Sequence, residues 1–190
     1  MALRRPAALR DFERVDVAVY AAIAATPTPS LDRVMSRLAR AADYSRLSLA
    51  AAALLAATRG ADGRRAAAQG LASIAVTATV VNVAVKPLAR RRRPDPTGSS
   101  VPAARHVRMP RSRSLPSGHS AAAFAFATGV GNVLPREAIP LRALAAMVGY
   151  SRVHTGVHYP GDVLIGALLG TALAQATTNA LDRRFRAPRQ

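Results

Sequence analysis

Apolar residues in this chain fall in long blocks separated by short segments rich in arginine and proline. Val15 to Thr26 is a short apolar run closed by Thr26-Pro27-Thr28-Pro29. A bilayer crossing needs about 20 residues, so this run predicts an interfacial or partly inserted helix. Ser30 is placed to cap a second helix, amphipathic in pattern, with Leu31, Val34, Met35 and Leu38 on one face and Arg33, Arg37 and Arg40 elsewhere. Leu47 to Thr58 is nearly all Ala and Leu, and reaches membrane length only if its helix starts near Ala41 and takes in Asp43 and Arg46. Ala66 to Val85 carries no charge and is the clearest spanning segment. After a long polar connection from Lys86 to Leu115, three further helices are expected at Ser117 to Leu134, Ile139 to about Tyr150, and Asp162 to Ala180. Pro135, Pro140 and Pro160 punctuate them. Gly166, Ala167 and Gly170 give the last helix a small-residue face suited to close packing in lipid.

The pattern predicts an all-α integral membrane bundle of about five to six membrane helices with an N-terminal interfacial helix. A length of 190 residues suits a single core. Its parts are N-terminal amphipathic helices (1–40), a membrane core (41–185) and a basic tail (186–190). Two spans separate the Lys86 to Leu115 connection from the Ser151 to Gly161 loop, so counting crossings puts both on one side.

Charge changes the picture by its location. The net charge is +17 and the pI about 11.9, yet half of the residues are hydrophobic. A nucleic-acid binder and a membrane protein with arginine loops both fit those totals. The arginines gather at Arg90 to Arg93, Arg105 to Arg113 and Arg183 to Arg189, between apolar stretches almost free of charge. That segregation favours the membrane and argues against nucleic acid. Mean hydropathy is only +0.11 because the apolar stretches are built from Ala. The chain has no cysteine, which excludes a disulfide framework and a thiolate metal site. Mixed charges at Arg4, Arg5, Arg10, Asp11 and Glu13 do not read as a cleavable signal.

Candidate chemistry begins with Lys86, the only lysine among the 27 basic residues. In a chain that otherwise uses arginine, a lone lysine suggests a position needing a compact ammonium, although a snorkelling side chain at a helix end explains it equally well. Six residues after Lys86 comes Arg93-Pro94. Pro116-Ser117-Gly118-His119 follows, and then Ser151-Arg152, five residues, His158, three residues and Asp162. These three blocks, in this order, resemble the signature of the type 2 phosphatidic acid phosphatase superfamily, which also includes bacterial acid phosphatases, polyprenyl diphosphate phosphatases and vanadium haloperoxidases. The resemblance runs from Lys86 to Asp162.

The residue types suit phosphoryl transfer. Charge spreads over the equatorial oxygens of the transferring group, so the site needs fixed cations and N–H donors. Lys86, Arg93 and Arg152 supply charge, while Ser117 and the backbone N–H groups of Gly118 and His119 stand at a helix start that favours anions. Asp162, four residues after His158, is placed to fix its tautomer and free the other ring nitrogen for attack. A plain N-cap role for Asp162 is compatible with this. His119, the remaining titratable group in the blocks, is assigned as the general acid. The resemblance implies the same roles, with His158 as nucleophile and His119 as acid.

His154 and His106 read as bystanders, His154 being a second-layer or surface residue, because no third ligand stands at metal-site spacing. Between Lys86 and Gly161 the only acids are Asp95 and Glu137, so a magnesium site built on paired carboxylates is hard to assemble. The expectation is a metal-independent, cofactor-free phosphatase of a lipid phosphomonoester or diphosphate, of the phosphatidic acid or polyprenyl phosphate type. It would sit in the plasma membrane as a multi-pass protein with membrane lipids and a lipid phosphate as partners. Two alternatives stand beside it: a vanadate-dependent peroxidase and a catalytically silent scaffold binding anionic lipid. Arginines in the Lys86 to Leu115 connection favour a cytoplasmic active face, against which stand Arg59, Arg64, Arg65 and the C-terminal arginines.

Overall fold

A computed structural model describes residues 7–98 and 101–186. Beyond residue 186 the expected basic tail lies outside the described residues, as do the first six residues of the N-terminal segment. The described residues form helices α1 (Ala7–Ala25), α2 (Pro29–Ala41), α3 (Arg46–Thr58), α4 (Gly60–Thr79), the single turn α5 (Lys86–Leu88), α6 (Gly118–Gly131), α7 (Pro135–His154) and α8 (Pro160–Arg186), with no strand among them. The all-α bundle is as the pattern predicts.

The charge-free Ala66 to Val85 stretch lies inside one unbroken helix. A π-helical segment, Val80–Val85, joins α4 to α5, giving 29 residues from Gly60 to Leu88. This helix and Pro160–Arg184 of α8 are the two among the described residues long and apolar enough to cross a membrane by length and composition. At 1.5 Å per residue, each exceeds the ~30 Å hydrocarbon layer.

Helix α6 is central and packs on α4, α7 and α8. Small residues let the backbones approach. A Cβ added at Gly170 would lie 2.1 Å from the Ala121 carbonyl oxygen, and one at Gly166 would lie 2.5 Å from that of Ser117. Phe126 and Val130 of α6 bury against Ala52 and Leu55 of α3 and Ala66 and Ala67 of α4. The C-terminal ends of α5 and α7 and the N-terminal ends of α6 and α8 are brought together by the side-chain contacts of the 89–117 connection, and α1 and α2 pack across the same end.

Several local expectations are corrected. The first helix begins at Ala7, well ahead of Val15. The N-cap of α2 is Thr28, not Ser30, and its buried face is Asp32, Met35, Ser36 and Ala39, while Val34 is 56% exposed. The reason is polar: Asp32 pairs with Arg105 at 2.7 Å and Ser36 donates to the Ala104 carbonyl at 3.0 Å, so α2 rotates these groups toward the 89–117 connection. No helix runs from Ala41 into Leu47 to Thr58. Tyr44 and Ser45 both take φ of 56° and break it, leaving α3 with 13 residues. Pro140 lies inside α7, which begins at Pro135 and runs on to His154. Pro140 has no N–H to offer the Arg136 carbonyl and its ring crowds that carbonyl, yet the helix continues past it.

Candidate active site

The three sequence blocks meet at this end of the bundle. Lys86 follows the π segment and donates to the Ser112 hydroxyl at 3.2 Å. Gly118 lies close by, since a Cβ on it would stand 3.4 Å from the Lys86 Nζ. Arg93 leaves the connection as a fork: Nε donates to the Ser112 carbonyl at 2.8 Å, Nη2 to the Ser112 hydroxyl at 3.2 Å, and Nη1 to the Val157 carbonyl at 3.0 Å. The same Nη1 lies 2.9 Å from Nε2 of His158. Arg152 is buried near the end of α7, with Nη1 on the Ala39 carbonyl at 3.1 Å and a buried Nε that meets no protein acceptor. A buried guanidinium N–H without a partner suits an anionic ligand.

His158 sits on the loop between α7 and α8, 1% exposed. The backbone N–H groups of Val157 and His158 both return to the Arg152 carbonyl, and Gly156 makes the turn possible with φ of 73°. Nδ1 of His158 faces Oδ2 of Asp162 at 3.4 Å. That oxygen also accepts from the Ser114 hydroxyl and from the Tyr159 N–H at 3.0 Å, while Oδ1 receives Arg91 at 3.1 Å. Asp162 is therefore not the N-cap of α8. It stands in the first turn and reaches back to the N–H of Tyr159, the returning half of a capping box.

Ser117 is the N-cap of α6. It is fully buried, its hydroxyl accepts from the Ser120 N–H at 3.4 Å, and its own N–H donates to the Asp162 carbonyl at 2.9 Å. That bond locks the start of α6 to the start of α8. The backbone N–H groups of Gly118 and His119, in the first turn, have no intrahelical acceptor and remain for an anion. His119 places Nε2 3.0 Å from Oδ1 of Asp43.

Burial pushes the His158 ring down to about 4, with the charges of Arg93 and Arg152 adding to the effect and Asp162 opposing it. It is neutral at neutral pH. Burial also lowers the Arg93 guanidinium to about 10, helped by Arg152 and opposed by Asp162.

Lys86, Gly118 and His119 also line the polar end of a cavity of about 250 Å³, whose wall continues between α3, α4, α6 and α7 as Leu47, Val81, Phe126, Leu144 and Val148. Lys86 and His119 thus share one cavity with a largely apolar lining, interrupted by Ser48, Thr77 and Asn82. Among the described residues no three His, Asp or Glu side chains stand together as metal ligands.

His154 is not on the surface. It is buried, with Nε2 2.9 Å from Asp32 and Nδ1 3.3 Å from the Tyr150 hydroxyl. His106 lies with Nε2 3.0 Å from the Val101 carbonyl. Sequence reasoning missed Asp43, Arg91, Ser112 and Ser114. It also missed Asp16, whose Oδ2 takes Arg91 at 2.6 Å and whose Oδ1 accepts from the Gly161 N–H at 2.7 Å. The one signal available was an acid, Asp16, in the apolar stretch of α1.

Comparison with known proteins bears on this arrangement. The profile of the PAP2 superfamily matches residues 66–186. The chain is 35% identical over 117 residues to the decaprenylphosphoryl-5-phosphoribose phosphatase of Mycobacterium tuberculosis, a match spanning 60% of each protein. Its fold superposes on the crystal structure of Aquifex aeolicus LpxE with a TM-score of 0.69 at 23% identity, covering 94% of this chain and 99% of the other. It superposes also on a transmembrane PAP2-type phosphatidylglycerolphosphate phosphatase from Bacillus subtilis, with a TM-score of 0.67 at 26% identity, covering 94% and 90%.

Proposed function

The chain belongs to the PAP2 superfamily, and from that premise we propose that it is a metal-independent membrane phosphatase that cleaves a lipid phosphomonoester or diphosphate through a phosphohistidine at His158. The observation that carries this reading is the setting of one nitrogen: Nε2 of His158 meets a guanidinium and is backed across the ring by Asp162.

In this reading the phosphoryl oxygens displace the Arg93 contact and are held by Arg93, Lys86, the Nε–H of Arg152 and the N–H groups of Gly118 and His119. These positive and N–H donors neutralise the charge that a metal otherwise would. Nε2 of His158 attacks phosphorus as the bond to the leaving oxygen breaks, and His119 gives that oxygen a proton. Asp162 steadies the imidazolium as positive charge develops on the ring. Water then attacks the phosphohistidine, His119 takes its proton, and the P–N electron pair returns to His158.

The cavity that Lys86 and His119 line supports a lipid substrate, because an apolar chain fits against Leu47, Val81, Phe126, Leu144 and Val148 while its headgroup stays beside Lys86. The named substrate of the mycobacterial relative, a decaprenyl-linked phosphosugar, belongs to that chemical class. The chain would cross the plasma membrane several times, with α6 packed on both long apolar helices, α7 laid against α6, and the site on the cytoplasmic side.

The test is phosphate release by detergent-purified protein from phosphatidic acid, polyprenyl phosphate and polyprenyl diphosphate, with EDTA present. Turnover on at least one substrate, unaffected by EDTA and abolished in His158→Ala, is expected. Substantial activity in His158→Ala removes the mechanism, and silence across the panel restores the scaffold reading.

A further inference from the structure

We propose that Asp43, which lies outside all three sequence blocks, is a positioning residue for His119 and fixes which of its ring nitrogens exchanges the proton. The inference rests on the phosphatase reading above.

Asp43 opens the turn that separates α2 from α3. That turn is strained, because Tyr44 and Ser45 are non-glycine residues at φ of 56°, a left-handed conformation that L side chains disfavour. Without it the two helices could run on as one. The turn instead places Oδ1 of Asp43 3.0 Å from Nε2 of His119. A carboxylate only accepts, so Nε2 carries a hydrogen and Nδ1 is left to face substrate or water. The arrangement mirrors the other histidine with the nitrogens exchanged: His158 turns Nδ1 to its carboxylate and reacts at Nε2.

The protons balance over the two steps. Burial and the charge of Arg152 push the His119 ring down to about 4 in the free site, with Asp43 opposing, so the proton on Nδ1 arrives with the phosphate monoanion of the substrate. In the first step that Nδ1–H bond breaks, its proton goes to the leaving oxygen as the P–O bond breaks, and the ring is left neutral with its hydrogen on Nε2. In the second step Nδ1 takes a proton from the attacking water and the cation is restored. Throughout, Asp43 keeps the Nε2 hydrogen in place and balances the charge of the cationic ring.

A competing role for Asp43 is counter-ion of Arg152, whose Nη1 stands 3.7 Å away. The two roles separate by leaving group. An alkoxide needs a proton to depart and a nitrophenolate does not, so only an acid-positioning role depends on the ester. Pre-steady-state release of the first equivalent of alcohol or phenol reads the phosphorylation step alone. It would be measured for wild type, Asp43→Ala, His119→Gln and the double variant, with the lipid phosphate and with 4-nitrophenyl phosphate. Asp43→Ala is expected to slow release from the lipid phosphate on the order of 10²-fold but from the nitrophenyl ester less than about threefold. Within the His119→Gln background it should cost nothing further. Equal losses on both esters, or an added loss in the double variant, assign Asp43 to Arg152 and overturn the proposal.

A second measurement does not depend on turnover. The chain has four histidines, so ¹⁵N-histidine spectra can be assigned by single substitutions. Neutral His119 should carry its hydrogen on Nε2 in the wild type and lose that preference in Asp43→Ala. A hydrogen on Nδ1 in the wild type overturns the proposal even if the protein hydrolyses no ester, whereas failure of all turnover with the Nε2 tautomer intact overturns only the phosphatase reading.

Discussion

Nη1 of Arg93 and Nε2 of His158 lie 2.9 Å apart. A guanidinium can only donate, so Nε2 must offer its lone pair and the ring hydrogen must sit on Nδ1, toward Asp162. The nitrogen proposed to attack phosphorus is thus unprotonated before substrate arrives, and the cation proposed to hold the phosphoryl oxygens is already beside it.

Removing that cation tests the pairing. Arg93→Ala should lower kcat/KM on the order of 10²–10³-fold, measured on whichever lipid phosphate the wild type hydrolyses best. Arg93→Lys should recover little. An ammonium cannot span the Ser112 and Val157 carbonyls while also facing His158, as the planar fork does.

The depressed His158 ring sets an acid limit. Its ordinary value is 6.5 and the folded value about 4, so the limb of kcat/KM that reports this group should fall near pH 4. Stability follows the same window. Between about 6.5 and about 4 the unfolded chain holds the proton and the folded chain does not, so stability should drop as pH falls through that range. Thermal melts of wild type and His158→Gln across those pH values check it, since the variant should lose this part of the slope.

Arg105 is fully buried and ties the connection to the α1–α2 corner. It donates to Asp32 at 2.7 Å, to the Ile23 carbonyl at 2.8 Å and to the Thr26 carbonyl. Burial pushes the Asp32 carboxyl up, but hydrogen bonds from Thr28, His154 and Arg105 outweigh it and hold Asp32 below its ordinary value. Asp32→Ala leaves that guanidinium buried and uncompensated, which should cost about 3–5 kcal/mol of stability. A lowered Tm in detergent and faster proteolysis of the 89–117 connection would show it, and a Tm unchanged from wild type would refute the account.

Gly170→Ala forces α6 and α8 apart, because the new Cβ would sit 2.1 Å from the Ala121 carbonyl. A loss of about 1–3 kcal/mol is expected. The helices it separates also carry the Ser117–Asp162 backbone bond, so kcat should fall with Tm. Gly60→Ala serves as contrast. It has open space around it but a φ of +58°, at the opposite end of α4 from Lys86, and should lower Tm while leaving kcat intact.

The amino-acid pattern alone was sufficient for the all-α architecture and for the long helix containing Ala66 to Val85, and it singled out three blocks that the fold brings to one end of the bundle. These features are local: a bilayer demands an unbroken apolar length, and phosphoryl chemistry demands particular side chains at short fixed spacings. The close approach of α8 at Gly166 and Gly170 was legible for the same reason. Tertiary structure decided everything that depends on which distant charges meet. The chain has many arginines, and nothing near Arg91 or Arg105 in sequence distinguishes them from Arg90 or Arg108. Packing alone paired Arg91 with Asp16 and Asp162, Arg105 with Asp32, and His119 with Asp43. The break between α2 and α3 was hidden because no glycine marks the left-handed pair Tyr44 and Ser45. Helix propensity sees each residue against its neighbours, whereas that turn is held by contacts its carboxylate makes with His119 and Arg152, far along the chain.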